Sequence, residues 1–225
     1  MARVWVALDV ASAAEAEHWM DVLSPHRHFK VGLELYSVAG PTVIRRWTGR
    51  GAEVFLDLKL HDIPRTVGRA TARLAGLGVR LLTVHAAGGR AMLREAVGAA
   101  GSGLEIAAVT VLTSLDANAL QEIGVPDPAR WAERLAEVAV DAGAPALVTS
   151  AWEAGSLHRR WPAVRLVVPG IRLTGDPAGD QARVATPTAA RLAGATDLVV
   201  GRSVLAAPEP LRTLTRIEEE ASTDG

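Results

Sequence analysis

The 225 residues are 49% hydrophobic and carry 24 basic against 25 acidic side chains, a formal net charge of -1, which predicts one domain over 1–225 that buries roughly 70–75% of its surface on folding. The charges are dispersed rather than blocked, which excludes the basic footprint of a nucleic-acid binder and restricts anionic ligands to small, locally held ones. With no cysteine, disulfides, thiolate zinc sites and thiol nucleophiles are excluded; with no signal-like N-terminus and no apolar run near ~18 residues, the expectation is a cytoplasmic protein without a membrane partner.

Eight short β-branched or apolar runs recur along the chain: VWVALDV (4–10), FKVGLEL (29–35), EVFLDLKL (53–60), RLLTVHAA (80–87), EIAAVTVLT (105–113), ALVTSA (146–151), RLVVPGI (165–171) and DLVVGRS (197–203). Between them lie segments of helical composition, among them 13–23, 42–48, 64–77, 90–99 and 129–141, several entered through Ser, Asp or Pro and left through Gly. The tail EEEASTDG reads as a frayed helix end. Strands alternating with helices imply parallel βαβ units. Eight such units in this length fit a closed (β/α)8 TIM barrel, and no GxGxxG turn follows Val10 to favour an open dinucleotide-binding sheet.

In a (β/α)8 barrel the catalytic face is the ring of loops after the strand C-termini. The polar residues reaching it are Asp9, Lys30, Asp57 and Lys59, His85, Thr113 and Ser114, Thr149 and Ser150, Arg172, and Gly201 with Arg202, from strands 1 to 8 in turn. Side chains two apart share a strand face, so Phe55, Asp57 and Lys59 point inward while Val54, Leu56, Leu58 and Leu60 face the helices. An interior Asp-x-Lys is read either as an ion pair closing the barrel mouth or as a catalytic pair. Lys30, inward with Gly32 while Val31, Leu33 and Leu35 face outward, tilts the balance toward catalysis. Asp9, opposite in phase to Val6, Leu8 and Val10, adds a fourth charge from another strand.

DLKLHDIPRTV, taken in order with ALDV, KVGLEL, VTVLTSL, VVPGIR, an isolated DQ and DLVVGRS, resembles the orotidine 5'-phosphate decarboxylase family, type 1 bacterial-like, over essentially the whole chain. The resemblance implies conversion of orotidine 5'-monophosphate (OMP) to UMP and CO2, the last step of de novo pyrimidine nucleotide synthesis, without metal or other cofactor. It makes Lys59 the general acid at C6 within an array of Lys30, Asp57, Lys59 and Asp62, with Asp62 lent to the neighbouring site of a homodimer and Ile63 and Thr66 at that shared site. Asp9 and Lys30 then hold the ribose hydroxyls, Thr113 lies beside the pyrimidine, and Arg172, Gln181, Gly201 and Arg202 hold the phosphate end, Gln181 also near the base. That placement agrees with barrel phosphate sites formed by the loops after strands 7 and 8. Decarboxylation at C6 leaves a vinylic carbanion with no adjacent electron sink, so a fixed ammonium would stabilise charge that develops only near the transition state.

The motif on strand 3 is shared with 3-keto-gulonate 6-phosphate decarboxylases and hexulose-phosphate synthases. Those resemble magnesium enzymes with an acidic residue where this chain has Lys30, whose charge would repel the cation. A non-catalytic phosphate-binding barrel would need the phosphate residues but neither Lys59 nor Asp62. Two positions depart from the family's usual pattern: Arg65 where asparagine is common, and Val168 where threonine often precedes PGIR. The stretch 173–180, rich in Gly, Pro and Asp, reads as a lid or as an ordinary polar loop. His18, His26, His28 and His158 lack metal-ligand spacing and read as surface or packing residues; His61 and His85 read as supporting groups near the mouth. The six tryptophans are scattered and read as helix-packing residues.

Overall fold

A computed structural model describes residues 2–175 and 184–222. Eight parallel strands close into a barrel in chain order: β1 Arg3–Ala7, β2 His28–Gly32, β3 Glu53–Leu60, β4 Leu81–His85, β5 Glu105–Val109, β6 Ala146–Val148, β7 Arg165–Val168 and β8 Asp197–Val200, with β8 pairing back to β1. Each of the eight expected runs overlaps one of these strands. The run 53–60 coincides with β3, while the other seven extend past the C-terminal ends of their strands, where polar residues leave the ladder to form the loops that carry a barrel's chemistry.

The helices between them are α1 Ala13–Val22, α2 Leu33–Gly49, α3 Pro64–Ala75, α4 Gly89–Ala100, α5 Ala117–Glu122, α6 Pro128–Asp141, α7 Ala151–Arg160, α8 Pro187–Leu192, α9 Arg202–Leu205 and α10 Pro210–Ser222. Their starts follow local chemistry. Ser12, Asp127 and Thr186 each accept a hydrogen bond from a backbone N–H of the first turn, Ser150 and Glu153 form a capping box, and Pro opens α3, α6 and α8.

The expected end of β2 needs correction. Leu33, Glu34 and Leu35 begin α2 instead of ending β2, because β2 has no register partner beyond Gly32↔Asp57 and Leu and Glu are strong helix formers. Leu33 is therefore 57% exposed, while Leu35 is buried. The expected helix 42–48 is the second part of α2, beyond a break at Gly40 (φ 69°, ψ 175°), a conformation suited to glycine. Of the tail expected to fray, residues 218–222 continue α10, Ala221 is buried and its carbonyl accepts a hydrogen bond from the Ala2 amide at 3.1 Å, while 223–225 lie outside the described residues.

Alternation divides the core into two shells. Trp5, Ala7, Phe55, Leu81, Ala107, Ala146, Val167 and Val199 fill the barrel, whereas Val6, Val31, Val54, Leu56, Leu82, Ile106, Leu147, Leu166 and Leu198 meet the helices. Trp5 is thus an interior barrel residue, contrary to its reading as helix packing. Its Nε1 donates to Asp197 Oδ1 at 2.9 Å, and Arg165 grips the same carboxylate through Nε and Nη2 at 3.1 and 2.6 Å. Arg165 also pairs with Glu105. Since Glu105, Arg165 and Asp197 each begin a strand, this polar network closes the N-terminal end of the barrel.

Candidate active site

The opposite end holds a cavity of about 430 Å³, a volume typical of small-ligand sites. Asp9, Lys30, Asp57, Lys59, Thr113, Arg172, Gly201 and Arg202 all line it. Eight of the expected site residues, from six strands or the loops that follow them, therefore converge at one place. Apolar walls come from Phe55, Val109, Val111, Val148, Val167 and Val199.

The charges alternate in space. Lys30 Nζ lies 3.2 Å from Asp9 Oδ1 and 3.5 Å from Asp57 Oδ2, and Lys59 Nζ lies 2.8 Å from Asp57 Oδ1. The Lys30 and Asp57 side chains are only 11% and 15% exposed, against 32% for Lys59 and 64% for Asp9. Burial opposes ionisation of Asp57, but the two ammonium charges and hydrogen bonds from Lys59 and Thr83 outweigh it and hold the carboxyl below its ordinary value. The result is an anion at neutral pH, wedged between two lysines.

The backbone of β3 is irregular where it presents these groups. Leu56 pairs with Leu82 and Leu60 with Val84, leaving three residues of β3 opposite Thr83 alone. Lys59 sits in this bulge with φ 47°, a left-handed conformation costing about 1–3 kcal/mol for a residue with a side chain. The bulge still leaves the ammonium aimed at the cavity, as simple alternation anticipated.

Beside the pair, the rings of His61 and His85 lie 5.3 Å apart. Burial, with the neighbouring His61 and Lys59, lowers the His85 imidazole below its ordinary value against the opposing pull of Asp57, so it is neutral at neutral pH. The other histidines pack or hydrogen-bond. His28 begins β2 and packs edge-on against Trp5, while His26 bonds Glu218 and the His28 carbonyl. Among the described residues, no three His, Cys, Asp or Glu side chains are grouped to hold a metal ion.

After β8, Gly201 precedes the short helix α9 and Arg202 opens it, both lining the cavity. A Cβ at Gly201 would meet Ala7 Cβ at 3.5 Å and Asp9 Oδ2 at 3.8 Å, tolerable contacts, so what it would take is space in the cavity. Arg172 is buried and donates from Nη1 to the Ile171 carbonyl at 2.9 Å. Gln181 and residues 176–180 of the expected lid lie outside the described residues.

Three expected residues are not in the cavity. Asp62, Ile63 and Thr66 are exposed, Ile63 by 66%, and Asp62 Oδ1 accepts a hydrogen bond from the Ile63 amide at 2.6 Å. Arg65 is exposed beside them on the first turn of α3. Sequence reading missed Thr83, whose hydroxyl touches both Asp57 and the Lys59 backbone. Its signal was available: Leu81, Thr83 and His85 share the inward face of β4, and a hydroxyl there stands out in an apolar run.

Comparison with known proteins agrees with the fold. Residues 2–217 match the family described as "Orotidine 5'-phosphate decarboxylase / HUMPS family". An orotidine 5'-phosphate decarboxylase of Thermobifida fusca is 50% identical over 228 residues, covering 100% of this chain and 97% of the relative. One from Anaeromyxobacter sp. is 49% identical, covering 92% and 93%. Among solved structures, an orotidine 5'-phosphate decarboxylase from Lactobacillus acidophilus superposes with a TM-score of 0.89 at 35% identity, covering 99% of this chain and 100% of that one.

Proposed function

The chain belongs to the orotidine 5'-phosphate decarboxylase / HUMPS family, and from that premise we propose that it is a carboxy-lyase converting OMP to UMP and CO2 through Lys59, with no metal or organic cofactor. The observation carrying this reading is the Lys30–Asp57–Lys59 array inside the cavity. An acidic residue at position 30 would suit a magnesium-dependent relative; a lysine there places a second ammonium where a cation would have to sit.

The reaction follows from charge placement. The C6–carboxylate bond breaks, CO2 departs, the electron pair stays on C6, and Lys59 Nζ transfers a proton to that carbon. Until the transfer, the ammonium opposes the carbanion's charge at close range, an interaction stronger in the transition state than in the ground state. Asp57 orients Lys59 and lies near the departing carboxylate. Asp9 and Lys30 hold the ribose hydroxyls, Thr113 lies beside the pyrimidine, and Arg172, Gln181, Gly201 and Arg202 hold the phosphate.

The functional unit is a homodimer in which Asp62, with Ile63 and Thr66, serves the neighbouring site; the exposure of all three outside their own cavity supports this. The setting is the cytoplasm, in keeping with a chain that lacks cysteine and, among its described residues, any helix long and apolar enough to cross a membrane.

Loss of OMP absorbance, followed with and without EDTA, tests the assignment. Turnover unaffected by the chelator is expected. No turnover, or turnover abolished by chelation and restored by magnesium, would instead favour a metal-dependent relative.

Phosphate binding makes a separate prediction. Arg202→Ala removes one charge-assisted contact, so kcat/KM for OMP should fall about 10- to 100-fold, while slow turnover of orotidine, which has no phosphate, should change by less than about threefold. Equal losses on the two substrates would place Arg202 elsewhere than at the phosphate.

A further inference from the structure

We propose that Thr83 is a positioning residue for the decarboxylation, fixing Lys59 and Asp57 relative to one another through one buried hydroxyl. The inference rests on the function proposed above. Thr83 lies in the middle of β4, is fully buried, and faces the bulged segment of β3. Its Oγ1 accepts a hydrogen bond from the Lys59 backbone N–H at 2.8 Å and donates one to Asp57 Oδ1 at 3.0 Å. The same Oδ1 accepts from Lys59 Nζ at 2.8 Å. A closed ring therefore runs from the Lys59 amide through the Thr83 hydroxyl and the Asp57 carboxylate back to the Lys59 ammonium.

Each link has a physical reason. A bulge removes ladder partners from the residues it contains, and a buried amide left without one is strongly disfavoured. In place of the ladder, a β4 side chain receives the Lys59 amide. Because Lys59 has φ 47°, its backbone needs such a tether to stay in a conformation that L-residues seldom adopt. Once the hydroxyl proton is committed to Asp57, the carboxylate cannot swing toward Lys30, whose Nζ lies 3.5 Å from the other oxygen. Thr83 itself does not line the cavity, so it acts on the reaction through Lys59 and Asp57.

Thr83→Val keeps the branched shape and β preference but deletes the hydroxyl, whereas Thr83→Ser keeps the hydroxyl and loses a methyl. With OMP as substrate, Thr83→Val should lower kcat about 10- to 100-fold, as small misplacements of catalytic groups do, with KM within about threefold of the parent. Thr83→Ser should recover most of that loss. If Thr83→Val does not fold, Thr83→Ala deletes the hydroxyl without placing a methyl against the carboxylate and is read by the same criteria. A folded hydroxyl-free variant with parental kcat, a loss confined to KM, or a folded serine variant as slow as the valine one would each overturn the assignment of Thr83. A parent protein inactive on OMP would overturn the underlying function instead, so the two failures are told apart.

Discussion

Replacing Lys59 by alanine should lower kcat for OMP by at least about ten-thousand-fold, because one side chain carries two contributions. A positioned general acid is worth about 10²–10⁴ in rate, and a preorganised charge facing a developing anion about 10²–10³. These overlap, since the proton transferred belongs to the group that supplies the field. Lys59→Arg should recover little: the guanidinium spreads its charge over a plane and holds its protons too tightly to serve as the acid. The loss should not reflect unfolding. Lys59 is a third exposed, and its left-handed backbone is a site of strain. Lys59→Gly should therefore unfold at a higher temperature than Lys59→Ala, by the equivalent of about 1 kcal/mol, since glycine adopts positive φ freely. An alanine variant within about 100-fold of the parent would remove Lys59 from the chemistry.

This opposition between local stability and placement of charge also explains what could and could not be read from sequence. All eight strands were legible because parallel barrel strands are buried on both faces and appear as short apolar runs. The inward phase of Asp9, Lys30, Asp57 and Lys59 was legible from alternation. The first part of α2 was not, because KVGLEL alternates as well as a strand does, and only the end of register at Gly32 decides the matter. The bulge in β3 was equally hidden. Its evidence is the three-to-one pairing opposite Thr83 and the φ of Lys59, neither of which has a residue signature, since the position holds lysine and not glycine. Thr83 stands out as a hydroxyl on the inward face of β4, but its two partners were hidden with the bulge. The polar network at the barrel's other end was hidden differently, because Trp5, Glu105, Arg165 and Asp197 stand far apart in the chain and meet only when the barrel closes.

The proposed service of Asp62 to a neighbouring barrel predicts that mixing two defective proteins restores activity. Asp62 lies three residues beyond Lys59, yet it is exposed and absent from its own cavity. The run His61-Asp62-Ile63 leads from the end of β3 into α3, turning the carboxylate out of the barrel. A service to a partner requires only a two-fold contact, in which the same surface patch meets itself, and exposed Ile63, Leu33 and Val38 offer apolar area on the segments following β2 and β3. Purified Lys59→Ala and Asp62→Ala proteins should each be nearly inactive. When they are mixed and allowed to exchange subunits, half the dimers are hybrids. In each hybrid, the barrel retaining Lys59 receives an intact Asp62 from its partner, while the other barrel lacks both groups. Random pairing thus predicts recovery of about one quarter of the parental activity per site. If Asp62 served its own barrel, no combination would restore a complete site and the mixture would stay inactive, even with subunit exchange confirmed by native mass spectrometry.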